Sequence, residues 1–280
     1  MDFRRIQWIF LIIFIAIDIF LGTQWYQGVQ PESTPTSGTA AVLKEMHSDD
    51  ISFSKPSDEA GEGFYLAGKR VSDFTDKLHD LKNVNAHKVD NGLQVVVPAS
   101  HAPKVDPKDP APVLDAFIQD AANVIDGKDY VYSARLSSMN QHEIVYVQAL
   151  SAGTVFSYTG QIRFQLSTNN SILSYTQTHI DGAQMLREKT PTISEEKALI
   201  WLYQYNEIPN DTKVAWSRLA YAQLLEIDNT TVYVPTWFFG LKNQNSSTMQ
   251  VKKVNAFTGV VIKGQTEKLP AVGTSDNSNK

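Results

Sequence analysis

T-I-S-E-E-K-A-L-I-W-L-Y-Q-Y, residues 192–205, is followed by Pro209 and then by long alternating segments, and this stretch decides the fold class. Ser194 stands where a helix N-cap belongs, its hydroxyl free to accept from a first-turn backbone N–H. Glu195 and Glu196 place negative charge at the positive end of the helix. Lys197 fills the slot where a capping box would want Glu or Gln. Ala198, Leu199, Leu202 and Tyr205 mark one apolar face, and Pro209 ends the element. The spacing then changes to strand-like segments over 214–227, 231–241, 248–256 and 260–263, an antiparallel meander. Its last turn, A-F-T-G-V, offers Gly259 for the positive φ of a tight hairpin.

Upstream the same order recurs in weaker form. A helix is expected over 113–125, then strands over 130–136, 143–150, 162–166 and 172–179, with S-T-N-N-S as the turn between the last two. We read a structural duplication: units 111–188 and 189–264, each laying one helix across a curved antiparallel sheet, an α+β arrangement. Pro103, Pro107, Pro110 and Pro112 preclude a regular element and set a boundary. Before them, 40–110 reads as a smaller α+β subdomain. It has a short helix within 40–50, strands at 51–54, 63–69 and 93–97, and an amphipathic helix over 71–81 carrying Val71, Phe74, Leu78 and Leu81. Residues 265–280 are polar and are expected to be a disordered tail.

The chain opens M-D-F-R-R-I-Q-W-I-F-L-I-I-F-I-A-I-D-I-F-L, and from Ile6 to Leu21 only Gln7 and Asp18 are not apolar. A helix over 3–25 would be about 34 Å long at about 1.5 Å per residue, enough for a hydrocarbon core of about 30 Å. Arg4 and Arg5 hold its start in the cytoplasm; Trp8 at one end, and Trp25 with Tyr26 at the other, suit the interfaces. No A-x-A-like cleavage site follows, so an uncleaved single-pass anchor over 1–27 is expected, with the main domain extracellular. A Pro/Ser/Thr/Gly linker over 28–39 would follow. Asp18 is the odd residue, because an ionisable group in a span is costly. Gln7, Leu11, Phe14, Asp18 and Gly22 fall on one stripe, polar groups with a small residue, of the kind a helix–helix contact in lipid uses. The bland alternative is an Asp18 that reaches the outer headgroups or is protonated.

Composition narrows the function classes. The 280 residues carry a net charge of −5; Asp2 and Asp18 cancel Arg4 and Arg5, so the excess lies beyond the anchor. A mildly acidic surface gives no support for nucleic-acid binding. Without cysteine there is no disulfide and no thiol chemistry. The six histidines form no H-E-x-x-H, H-x-H or H-x₃-H pair, and neither G-x-S-x-G nor a phosphate-cradling glycine loop occurs. The chain therefore reads as non-enzymatic, with no catalytic residue, cofactor or metal. Aromatic residues crowd 201–239; core packing accounts for most of them. Trp237, Phe238 and Phe239 are the best candidates for a partner surface on the outer domain, since alternation sends Phe238 to the face opposite its neighbours.

Two stretches carry a resemblance: the basic pair leading into an anchor broken by one Asp before I-F-L, and V-N-A-F-T-G-V-V-I at 254–262. With them the chain resembles the YycI family. These are membrane-anchored regulators that, with YycH, accompany the YycG/YycF (WalK/WalR) two-component system of low-GC Gram-positive bacteria. The likeness spans nearly the full length, and the N-terminal stretch is its most specific part. The helix and V-N-A-F-T-G hairpin also look like a PepSY-type module. The resemblance implies a non-enzymatic protein beside the sensor histidine kinase that controls cell-wall metabolism. It implies contact through the anchor, with Asp18 at the family's acidic position, and a YycH-type sister protein as a further partner. The alternative is an extracellular, PepSY-like inhibitory module that the anchor merely tethers.

Overall fold

The computed structural model describes residues 3–29, 36–71, 74–89, 92–228, 230–243 and 249–263. The expected tail lies outside them, as do residues 30–35 of the expected linker. Two compact units result, Met1–Ser48 and Asp49–Lys280. The first holds two helices, α1 (Phe3–Val29) and α2 (Thr36–Ser48). The linker expectation thus gives way at both ends: 28–29 finish α1 and 36–39 begin α2, whose Ala, Leu, Lys, Glu and Met residues are good helix formers.

The second unit is α+β and mostly antiparallel. It runs β1 (Glu62–Gly63), β2 (Leu66–Arg70), α3 (Thr75–Leu78), β3 (Asn85–Val89), β4 (Gly92–Val96) and α4 (Ala111–Gln119). Next come β5 (Tyr130–Tyr132), β6 (Glu143–Leu150), β7 (Gly153–Thr154), β8 (Gln161–Leu166), β9 (Ile172–Gln177), β10 (Ile180–Met185) and β11 (Thr190–Pro191). α5 (Glu195–Gln204), β12 (Thr212–Ile227), β13 (Thr230–Asn243) and β14 (Met249–Asn255) complete it. One sheet is ordered β3-β4-β9-β8-β6-β5, with β7 on β6; the other is ordered β10-β2-β13-β12, with β14 on β13.

Side-chain alternation sorts these sheets into layers. Leu93, Val95, Ile144, Tyr146, Ile162, Phe164 and Tyr175 point to one face of the first sheet and bury Leu114, Phe117 and Ile118 of α4. Val145 and Val147 point to the opposite face and meet Phe156, Ala220, Ala222 and Phe238, so the two sheets pack together there. α5 covers the far face of the second sheet: Trp237 Nε1 donates to the Ile193 carbonyl at 2.9 Å and Ser217 Oγ to Glu195 Oε1 at 2.6 Å. The order is α4, sheet, sheet, α5.

Further expectations change, among them the strands at 51–54 and 260–263, which are isolated bridges. Up to Pro110 the proline segment carries only an isolated bridge, Lys104 with Ser171, whereas Pro112 sits in the first turn of α4, where a missing N–H is tolerated. Yet it does not divide one sheet from the other, because β4 pairs with β9 and β2 pairs with both β13 and β10. Leu93 and Val95, wholly buried, need a covered sheet, and local prolines do not decide which strand supplies the neighbour. The helix expected to reach 125 stops at Gln119. Asp120 turns extended and its carboxylate accepts from Ala122 N at 2.9 Å, a side chain competing with the helix for the backbone. The helix expected over 71–81 is a single turn, although Phe74 is buried and Val71, Leu78 and Leu81 pack against the core as their spacing indicated.

Candidate functional site

The five residues of the expected intramembrane stripe all lie on α1, and every described side chain of that helix, at 7–8 and 11–23, is exposed. Residues 7, 11, 14, 18 and 22 recur every three or four positions, one face at 3.6 residues per turn. Leu11 is 50% exposed and Phe14 61% exposed, and no heavy atom lies within 4 Å of a Cβ placed on Gly22. Trp8, Ile12, Ile13, Ile15, Ile17, Ile19, Phe20 and Leu21 are exposed as well, so the apolar surface runs all round the helix, with Asp18 interrupting one side. An apolar surface on every side is not what a helix meeting water carries. Among the described residues no helix qualifies as long and apolar enough to cross a membrane.

Of the expected outer surface, Phe238 and Phe239 are buried and Trp237 is half-buried. Phe238 is 1% exposed and packs tilted against Phe156, ring centroids 5.2 Å apart, between the sheets. Phe239 is fully buried on the other face, 6.4 Å from Trp237, whose indole is tied to Ile193 beneath α5. Both faces of this strand are covered, which the sequence of one strand could not reveal, since alternation gives the face and not what lies over it.

The ionisable groups of the second unit serve structure. Arg163 grips both carboxylate oxygens of Glu143, at 3.0 and 2.6 Å, and donates to Gln161. The Lys252 ammonium, hydrogen-bonded at 2.8 Å, holds the Glu207 carboxyl below its usual range, with Lys263 3.5 Å away. Burial pushes the Tyr146 phenol up, and its hydrogen bond to Asp115 at 2.7 Å adds to this. Among the described residues no three His, Asp or Glu side chains converge as a metal site. His179 is the buried histidine, beside Tyr130 and the Asp129 carboxylate. The sequence signalled nothing at this position.

The profile of the YycI family, described as "YycI protein", matches residues 31–257. The chain belongs to the YycI family. This is a family of regulatory proteins, and membership is consistent with a regulator of the YycG/YycF system. The matched span begins after α1, so the family signal rests on the region beyond the N-terminal stretch that carried the resemblance most specifically. No curated protein matches the chain. Among solved structures, an uncharacterized protein from Eubacterium rectale is 9% identical, with a TM-score of 0.37, over 78% of this chain and 92% of that one. The YpeB C-terminal domain of Bacillus megaterium is 13% identical, with a TM-score of 0.35, over 82% and 96%.

Proposed function

We propose that this YycI-family chain is a single-pass, membrane-anchored, non-enzymatic regulator of a WalK/YycG-type sensor histidine kinase controlling cell-wall metabolism. Its α1 stripe is the output surface, touching the kinase and a YycH-type sister protein in the bilayer, and its outer domain lies on the extracellular side. The observation that carries this reading is the apolar exposure of α1 on every side, interrupted by Asp18 on one. At 27 residues the helix is about 40 Å long. In hydrocarbon a helix satisfies its own backbone, and lipid or neighbouring helices cover such a surface, as water cannot. Asp18 then gains by facing a donor on a partner helix. A kinase helix bundle with two arrangements needs only unequal affinity for α1 to be biased toward one of them. Replacing residues 6–21 with an unrelated anchor tests this. Loss of kinase regulation supports it, and full regulation with the foreign anchor refutes it.

A second reading is favoured by the matched span, which begins beyond α1. In it the outer region is a PepSY-like binding module and the anchor a tether; retained function after the same swap would support it. We also infer that 111–188 and 189–264 are duplicated units, since α4 precedes the meander β6-β8-β9 and α5 the meander β12-β13-β14. Superposing the two meanders should bring α4 onto α5; helices on opposite faces would end that inference.

A further inference from the structure

The chain leaves the first sheet at Gln177 and enters the second at Ile180, so Thr178 and His179 are the passage between them. Neighbouring groups hold this passage on every side. The buried Gln148 amide behaves like a strand backbone, donating to the Ile180 carbonyl and accepting from its N–H, each at 2.8 Å. Thr178 N donates to the Gln161 carbonyl at 2.9 Å, and Val71 N donates to the His179 carbonyl at 2.9 Å.

His179 is the ionisable group within it, 8% exposed. The Tyr130 hydroxyl donates to the Thr178 carbonyl at 2.5 Å and lies 3.1 Å from His179 Nδ1. With the phenol proton committed to Thr178, the neutral imidazole donates through Nδ1 and leaves Nε2 as the site that takes a proton. Nε2 sits 3.9 Å from Asp129 Oδ2, too far for a hydrogen bond. The other charged groups facing the ring are Asp126 from the same loop, Lys77 of α3, which pairs with Asp126 at 2.5 Å, and Asp181 of β10. The Tyr130 phenol is pushed up by burial and stays neutral.

We propose that this passage is an acid-responsive joint: a proton on His179 Nε2 places a cation in a buried site, with Asp129 too far away to bond it, and so favours local opening of Thr178–Ile180 to water. Burial holds the imidazole below its ordinary 6.5, outweighing the pull of Asp126, Asp129 and Asp181. The folded passage therefore keeps the neutral ring while an opened one takes the proton. Its stability is whole above pH 6.5 and declines as pH falls toward the lower folded-state value. This device does not depend on what α1 touches.

Amide hydrogen exchange on the full chain in detergent micelles, corrected for intrinsic rates, tests it between pH 7.5 and 5. Protection at Val71 and Ile180 should fall across that range, by at most about tenfold per pH unit for one proton, and His179→Gln should flatten the fall. Asp129→Asn removes a carboxylate that favours the cation, so it should move the midpoint to lower pH, a shift that a merely structural role would not produce. Should His179→Gln fail to fold, the Asp129→Asn midpoint decides. A flat wild-type profile, an equal fall in His179→Gln, or an unmoved Asp129→Asn midpoint would overturn the proposal.

Discussion

Gly259 lies so close beneath Trp201 that a Cβ built on it would fall 0.9 Å from the indole Cζ3. Its φ of +70° closes the hairpin after β14, and the missing side chain lets that hairpin seat against α5. Gly259→Ala therefore meets left-handed strain and a ring that must move, together about 3 kcal/mol of stability. Gly182, at φ +60° with nothing within 4 Å, is the control. Gly182→Ala should cost only the backbone strain, about 1 kcal/mol. Denaturant titration of the two variants, followed by tryptophan fluorescence, checks the difference.

The cap read from the sequence is made: Ser194 Oγ accepts from Lys197 N at 3.2 Å. Ser194→Ala should lose about 1 kcal/mol and Ser194→Asp should retain most of it, measured the same way.

Glu207 gives a pH dependence. Its carboxyl is held below the ordinary 4.5, chiefly by the hydrogen bond from Lys252. The stability it contributes is whole above pH 4.5 and is lost as pH falls through the lower folded value. Glu207→Gln should be less stable than wild type at pH 6 and approach it by pH 3. A gap that stays constant over this range would show that the charge is immaterial.

How much of this was legible differs by element. β6 and α5 were readable because alternation, cap and stop signal agree over their whole length. β3, N-A-H-K-V, was not, since it is an edge strand with no fully buried residue, only Ala86 packing partly on the core, and so has little pattern to show. β10 escaped for the same reason: only Ile180 of its residues is buried. The stripe on α1 could be placed from spacing alone, whereas the burial of Phe238 and Phe239 depends on α5 and on Val145 and Val147, which no local pattern brings near. The His179 passage was invisible because its members, Val71, Tyr130, Gln148 and Thr178, come from distant segments.

Asp18→Leu isolates the polar element of the stripe. If Asp18 meets a donor on a partner helix, kinase co-purified from membranes should fall roughly three- to tenfold, the range of one interhelical hydrogen bond. Unchanged recovery would remove Asp18 from the contact.

The most direct test is capture in the membrane itself. A photoreactive amino acid at position 14, on the stripe beside Asp18, should cross-link the sensor kinase or its sister regulator in intact cells, while the same probe at position 12, off the stripe, should not. Equal capture from both positions, or adducts with lipid alone from position 14, would contradict α1 as the output surface.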